Sequence, residues 1–491
     1  MPSVLPGSLI GCFLCLWLLY GSVSSRGVET TALARDEQPQ EDFEHGVLIS
    51  DESWQEFNAS SLAFSPGQAP SFVNDWCDMP HATKETYSAP SSEFVLKYVE
   101  VIQRHHKRTP YDSNLFYQED TRWDCSGVGP LYGLRSQDGE GENAYPAQWQ
   151  AFVDSNNPFA ASRLKGPVIA SNCQFPQLTP GGLEDSITHG ANLREVYGSK
   201  LGLSNNPSSD QVIFRVTNNP LTSQVVSGIL KGLYPGHTYD ISAPPVLIQP
   251  SSIDSLEPRY ACAQADSLRT SFTTGSNGSV WKAHLQRAHD DGTFRALDGI
   301  SGIRSDDSGW HVSFDHYFDN LKARQCHGKP LPCNVSNSSY CVSQQLADKV
   351  YEIGNWEYSY LYREAPGAPR YAALKFGAWM LELESHLRGV VAGTNKVKYY
   401  HNIAHDGSIS SLLGFLQVSK MAWPGMGSEV AFELYERPTP SSGWFVRVLW
   451  SGTTMETASP LGVLDMIPLE KFTNYIHSLV PSGEWLLAAC S

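Results

Sequence analysis

Residues 95–102 read VLKYVEVI, apolar or β-branched at most positions, which predicts a buried strand. A shorter run at 212–216 predicts a second strand. Between them Leu183, Ile187, Leu193, Tyr197 and Leu201 share one helical face, so an amphipathic helix opens after the segment 177–182, QLTPGG. Val225, Val226, Ile229 and Leu233 stripe another helix, over 222–233, with Thr222 placed to cap it. Pro369 fits the first turn of a helix that runs through residue 386 with Leu374, Ala378 and Leu381 on one face. Residues 397–404 predict a strand, and Ile409, Leu412, Leu413 and Leu416 stripe the helix after it. Two alternating segments, 430–434 and 444–450, predict antiparallel strands at the sheet edge, and a last helix lies near Lys471.

The stretches without these periods divide the chain. Residues 26–92 are polar and rich in Pro, Ser, Gln and acidic side chains, which reads as an extended arm over the surface, held at Cys77. Residues 111–180 hold aromatics, Asn, Gly and Pro and read as ordered loops. Residues 236–366 lack the sheet pattern and carry four cysteines, so they read as an inserted, mostly helical, disulfide-bearing subdomain. The resulting division is a signal segment at 1–25, the arm at 26–92, a first core part at 93–235, the insert at 236–366 and a second core part at 367–491.

Residues 1–25 carry no charged side chain, and the apolar run 9–20 is followed by GSVSS, the pattern of a secretory signal peptide cut near Ser25. The alternative is a signal anchor, but the run is short for a bilayer span, so no stable membrane association is expected. Removal of Cys12 and Cys15 with the signal leaves Cys77, Cys125, Cys173, Cys262, Cys326, Cys333, Cys341 and Cys490, an even count that suggests disulfides in an exported, extracellular or lumenal chain. Sequons at Asn58, Asn277, Asn334 and Asn337 fit a glycosylated surface. The net charge of -16 argues against nucleic acid as a partner.

The chemistry gathers where the first strand ends, in Arg104-His105-His106-Lys107-Arg108-Thr109-Pro110. A basic cluster after a strand is most often a solvated turn. In a sheet of parallel strands, however, the same exit is where ligands bind. Arg104 and Arg108 each offer a planar fork of donors to an anion, and His105 between them can act as base or nucleophile. Far downstream, the strand at 397–404 delivers His405-Asp406 to a strand-to-helix turn.

Arg104-His105-x-x-Arg108-x-Pro110 after a strand, with a later His405-Asp406 pair, resembles the signature of the histidine acid phosphatases. The Leu-Thr-x-x-Gly start at 178–182, with Gly190 and Leu193-Arg194 beyond it, is similar to the segment that follows the catalytic loop in that family. The resemblance runs from Val95 to the C-terminus and is thin in the insert. It implies an α/β three-layer sandwich, a mixed central sheet flanked by helices, with the smaller helical insert capping the site and varying substrate choice. It also implies hydrolysis of a small-molecule phosphomonoester through a phosphohistidine at His105. Arg104, Arg108 and His405 would hold phosphoryl oxygens, Asp406 would protonate the leaving alcohol, and neither metal nor other cofactor would be needed.

Two positions depart from the family. His106 stands where the family has glycine, adding bulk and a second imidazole able to face the pocket. Leu221 stands where the family carries an arginine just before the threonine, so Arg215, six residues earlier, is the candidate replacement ligand. Both departures would also suit an anion-binding protein without turnover, or an enzyme acting on a less charged substrate. His284, His289, His311 and His316 read as surface residues for want of carboxylate partners, and His401-x-x-x-His405 is rejected as a zinc motif because it lies on a strand. Oligomeric state is not legible in the sequence.

Overall fold

The structure is a computed structural model and describes residues 76–132, 147–152, 154, 156–158, 171–236, 245–275, 278–438 and 442–491. The signal segment, the arm up to residue 75 and the sequons at Asn58 and Asn277 lie outside the described residues. The first strand, β1 (Val95–Arg104), is buried over most of its length. Helix α1 (Pro180–Tyr197) begins where the Thr179 side chain accepts from the Gly182 N–H, with Pro180 in its first turn. Strand β2 (Val212–Val216) and helix α2 (Pro220–Leu233) follow, then the short β3 (Val246–Ile248). The cap of α2 is not Thr222. Asn219 accepts from the Leu221 N–H because Pro220, with no N–H and a fixed φ, takes the first helical position, two residues before the expected start. The Thr222 hydroxyl lies within hydrogen-bonding distance of the Thr217 and Asn219 carbonyls instead.

Helices dominate the insert: α3 (Ala263–Thr273), α4 (Ser279–Asp290), α5 (Thr293–Ser301), α6 (Asp315–Cys326) and α7 (Gln344–Ser359), which runs into a π turn at Tyr360–Glu364. Their core is aromatic, with Trp310, Phe314, Phe318 and Tyr351 packed together with Trp76 and Trp423. Because Trp76 and Trp423 come from outside the insert, one hydrophobic cluster joins it to the rest of the described chain. Disulfides join the same parts: Cys77–Cys326 holds the end of the arm to α6, and Cys262–Cys490 ties the C-terminus to the start of α3. Cys125–Cys173 and Cys333–Cys341 close shorter loops.

The chain then forms α8 (Ala368–Val391), β4 (Tyr399–Ala404), α9 (Asp406–Phe415), β5 (Glu429–Arg437), β6 (Gly443–Trp450), α10 (Leu469–Leu479) and a terminal α11 (Gly483–Cys490). The main sheet runs β6-β5-β1-β4-β2-β3, with short strands at Thr453–Thr454 and Ile467–Pro468 pairing with β6. β1, β4, β2 and β3 are parallel neighbours, whereas β5 and β6 are antiparallel, so the sheet is mixed. Trp379, Leu412, Phe432 and Phe472 belong to the core that includes α8, α9 and α10. Leu193, Phe214, Val225 and Tyr399 belong to the core that includes α1 and α2. Register places the site: Arg104 pairs with Ala404 and Val216 with Ile403, so β1, β4 and β2 end almost level. His105, His405 and Thr217 are therefore the neighbouring exits of adjacent parallel strands.

Candidate active site

Arg104, the last residue of β1, is buried with its Nη2 2.9 Å from Asp406 Oδ2 and its Nη1 donating to the Pro424 carbonyl at 2.5 Å. Its guanidinium lies 4.7 Å from the Trp76 ring. His105 follows, 1% exposed. Its Nδ1 is 3.0 Å from the His106 carbonyl, which can only accept, so Nδ1 carries the hydrogen. Nε2 therefore carries the lone pair and accepts from the Arg108 Nε–H at 3.4 Å. Burial, then the charges of Arg108 and Arg104, hold this imidazole well below the ordinary histidine pKa. It is neutral in acid that would protonate a free histidine.

His405 stands at the N-terminus of α9 with its ring centroid 5.5 Å from that of His105. Its Nε2 is 2.9 Å from Thr217 Oγ1 and 3.9 Å from the Glu257 carboxylate. Burial lowers its pKa, outweighing the opposing pull of Glu257 and Asp406. The next residue, Asp406, accepts at Oδ2 from Arg104 and from Trp423 Nε1 at 2.9 Å, and at Oδ1 from the Gly407 N–H. Burial pushes its carboxyl up, but the Arg104 guanidinium, the Trp423 N–H and Arg108 carry it below the usual carboxylate range. Arg108, also buried, packs 4.4 Å from the Tyr111 ring and meets Asp319 of α6 through both terminal nitrogens. Gly182 lets α1 approach this loop, since a Cβ there would collide with the Lys107 carbonyl.

The structure thus brings Arg104, His105, Arg108, His405 and Asp406 together and leaves Arg215 out. Along β2, side chains alternate: Val212, Phe214 and Val216 enter the core of α1 and α2, and Arg215 projects from the opposite face. There its guanidinium is fixed by Glu382 at 2.6 Å, Asp254 at 3.0 Å and Ser255 Oγ at 3.0 Å. Nor does His106 line the pocket, since its ring turns inward against Ser186 and His189. Leu221 is fully buried in the core of α1 and α2. All four histidines read as surface groups without carboxylate partners have one nearby: buried His284 meets Glu357 at 2.8 Å, His311 meets Asp298 at 2.9 Å, and His289 and His316 lie 3.5 and 3.8 Å from Asp290 and Asp315. Among the described residues no group of three or more His, Cys, Asp or Glu could hold a metal ion.

Asp319, Glu257, Thr217 and Trp423 are parts of the site that sequence reasoning missed. Thr217 had a local signal, as the residue that follows a strand parallel to β4. Asp319 had none: its contact with Arg108 spans 211 residues and no spacing rule reaches across the insert.

No family model matches the chain. It is 26% identical over 418 residues to counting factor 60 of Dictyostelium discoideum, covering 83% of this chain and 91% of that one. It is also 26% identical over 344 residues to lysophosphatidic acid phosphatase type 6 of Bos taurus, covering 68% and 72%. The phytase of Citrobacter braakii superposes with a TM-score of 0.50 at 14% identity, over 78% of this chain and 98% of that one, a likeness of fold.

Proposed function

Because the chain belongs to the histidine acid phosphatase family, we propose that it hydrolyses phosphomonoesters in two steps with His105 as nucleophile. His105 Nε2 attacks phosphorus while its Nδ1–H stays on the His106 carbonyl. The ester P–O bond breaks and Asp406 gives a proton to the leaving oxygen. Water then attacks the phosphohistidine, Asp406 takes back a proton, and inorganic phosphate leaves with the imidazole restored. Arg104 and Arg108 neutralise charge on the phosphoryl oxygens, and His405 donates a hydrogen bond to one of them. The observation that carries this reading is the convergence of an imidazole whose unprotonated Nε2 faces Arg108, two guanidinium groups and a carboxyl at the level ends of β1 and β4.

Asp406 is ionised when it faces Arg104 alone, so the proton must come with the substrate. A phosphoester monoanion brings one, and its charge beside Asp406 raises the carboxyl's proton affinity. Activity is therefore greatest on the acid side. Four disulfides support a place of work in the secretory lumen or outside the cell, and among the described residues no helix is long and apolar enough to cross a membrane.

The test is hydrolysis of an aryl phosphate from about pH 3 to about pH 7 by the wild type, His105→Ala and Asp406→Asn proteins. A wild-type rate no higher than that of His105→Ala ends the proposal. Inorganic phosphate binding without turnover would favour the second reading, an anion-binding protein, for which Leu221 in place of a cation speaks.

A further inference from the structure

We propose that Asp319 presents Arg108 to a single phosphoryl group and selects phosphomonoesters whose alcohol carries no second anionic group. The proposal rests on the phosphatase reading and names the substrate class for the same pocket. Asp319 is 4% exposed. Its Oδ1 accepts from Arg108 Nη2 at 3.0 Å and its Oδ2 from Nη1 at 3.3 Å, while Asn114 Nδ2 donates to Oδ2 at 2.7 Å. Arg108 Nη1 also donates to the Thr109 carbonyl at 2.9 Å. One N–H on Nη2 remains, and beside it on the same edge of the guanidinium is the Nε–H, which donates to His105 Nε2. That edge faces the nucleophile, with Nε 3.4 Å from His105 Nε2. A phosphoryl oxygen that takes over both N–H groups frees the His105 lone pair and brings phosphorus up to it, and Asp319 need not move.

Charge decides what else fits. Arg104 and Arg108 act on both the His105 and the His405 imidazoles, Glu257 and Asp406 on that of His405, and Asp319 sits against Arg108. Two buried cations thus face three carboxylates, of which Glu257 is also met by the exposed Arg259 at 2.8 Å. One phosphoryl group can be neutralised there; a second on the same alcohol would meet carboxylates. The surroundings of Asp406, where the alcohol departs, are aromatic. Trp423 donates to its carboxylate, Tyr358 stacks on Trp423 at 3.9 Å, and the Tyr362 hydroxyl reaches to within 3.5 Å of where a Cβ on Gly407 would stand. An alcohol with an apolar or aromatic body suits such a wall.

The experiment measures inorganic phosphate binding by calorimetry, and aryl phosphate turnover, in the wild type and Asp319→Asn. Loss of the carboxylate charge should tighten phosphate binding about tenfold, while kcat falls about tenfold as Arg108 loses its clamp. A purely architectural role would weaken both, and unchanged or weaker phosphate binding overturns the proposal. Phosphate binding needs no turnover, so an inert wild type whose Asp319→Asn form binds phosphate more tightly overturns hydrolysis and retains the role of Asp319 at the anion site. Turnover with unaltered phosphate affinity does the reverse. A comparison on the wild type covers the case in which Asp319→Asn fails to fold. Fructose 1,6-bisphosphate should inhibit no more than about twofold better than glycerol phosphate, the statistical factor for two equivalent groups, and more than about tenfold tighter inhibition overturns the selectivity.

Discussion

His105 and His106 are consecutive, both 1% exposed, and both held well below the ordinary histidine pKa, first of all by burial. They nevertheless meet opposite surroundings, because neighbouring side chains at a strand end leave on opposite sides. His105 enters a pocket walled by Arg104, Arg108, His405 and Asp406. His106 enters the interior, where the Ser186 hydroxyl donates to the Gly182 carbonyl at 2.7 Å and so accepts from His106 Nδ1 at 2.8 Å. His106 Nε2 then accepts from His189 Nδ1 at 3.1 Å, and His189 meets Glu429 at 3.0 Å while His81 stacks on it at 3.8 Å. Neither burial nor pKa separates the two rings. What separates them is the partner of the accepting nitrogen: His105 Nε2 meets the Arg108 Nε–H at a long 3.4 Å on the pocket side, whereas His106 Nε2 meets His189 Nδ1 at 3.1 Å in the interior.

The strongest way to break this comparison is to remove each ring in turn. His105→Ala should lower kcat/KM for an aryl phosphate by about 10⁴-fold or more, as removal of a nucleophile does. His106→Gly keeps the peptide carbonyl that orients His105 and should leave turnover of the folded protein within about tenfold, while costing roughly 2–4 kcal/mol of stability through a cavity and orphaned partners. Thermal melts beside initial rates separate the outcomes. Equal loss of turnover in both variants would mean that the inward ring takes part in the chemistry.

Asp406→Asn is the next largest change, with kcat expected to fall by about 10²–10³-fold. The loss should be greater for an alkyl than for an aryl phosphate, since a poor leaving group needs the proton more. The reactive form of Asp406 is the protonated one, and its carboxyl is held below the usual range, so wild-type kcat/KM should decline as pH rises. The variant should lack that limb, and pH profiles on two leaving groups check it.

How much of this arrangement could be read beforehand depended on distance along the chain. β1 and the β4–α9 turn were legible because a continuous apolar run and a helical stripe flank each cluster, so a strand must end where the charges begin. The inward turn of His106 was not, since period alone cannot say which face of a strand end opens on a pocket. Arg215 misled for a related reason. The run 212–216 is apolar at every other position, and the face with the arginine looks the same in sequence whether it meets a phosphate or Asp254 and Glu382. Asp319 lay beyond any local rule.

The inward network sharpens the comparison through acid stability. His81 is lowered to about 4 by burial and then by His189, and His401 to about 3 by burial. A group whose folded pKa lies below its unfolded value of 6.5 contributes stability that is complete above 6.5 and lost as pH falls toward the folded value. His81 alone should cost roughly 3 kcal/mol by pH 4. The thermal midpoint should therefore drop steeply between pH 6.5 and pH 4, and His81→Gln, whose amide oxygen can still accept from Asn192 Nδ2, should flatten the drop. A midpoint unchanged over that range would contradict the network as described. The working pH is then a compromise, because the pocket favours acid while the histidines behind it do not.

The smallest effect on turnover is expected outside both surroundings, at Arg215. Its partners Asp254, Ser255 and Glu382 hold it on the sheet face opposite α1 and α2. Arg215→Met should leave kcat and KM of the folded protein within about twofold, yet cost about 3–5 kcal/mol by stranding buried Asp254 without its cation. Phosphate should not restore that stability. If it does, or if KM rises more than about tenfold, the guanidinium reaches phosphate after all, and the strand alternation that excludes it from the pocket gives way when the ligand binds.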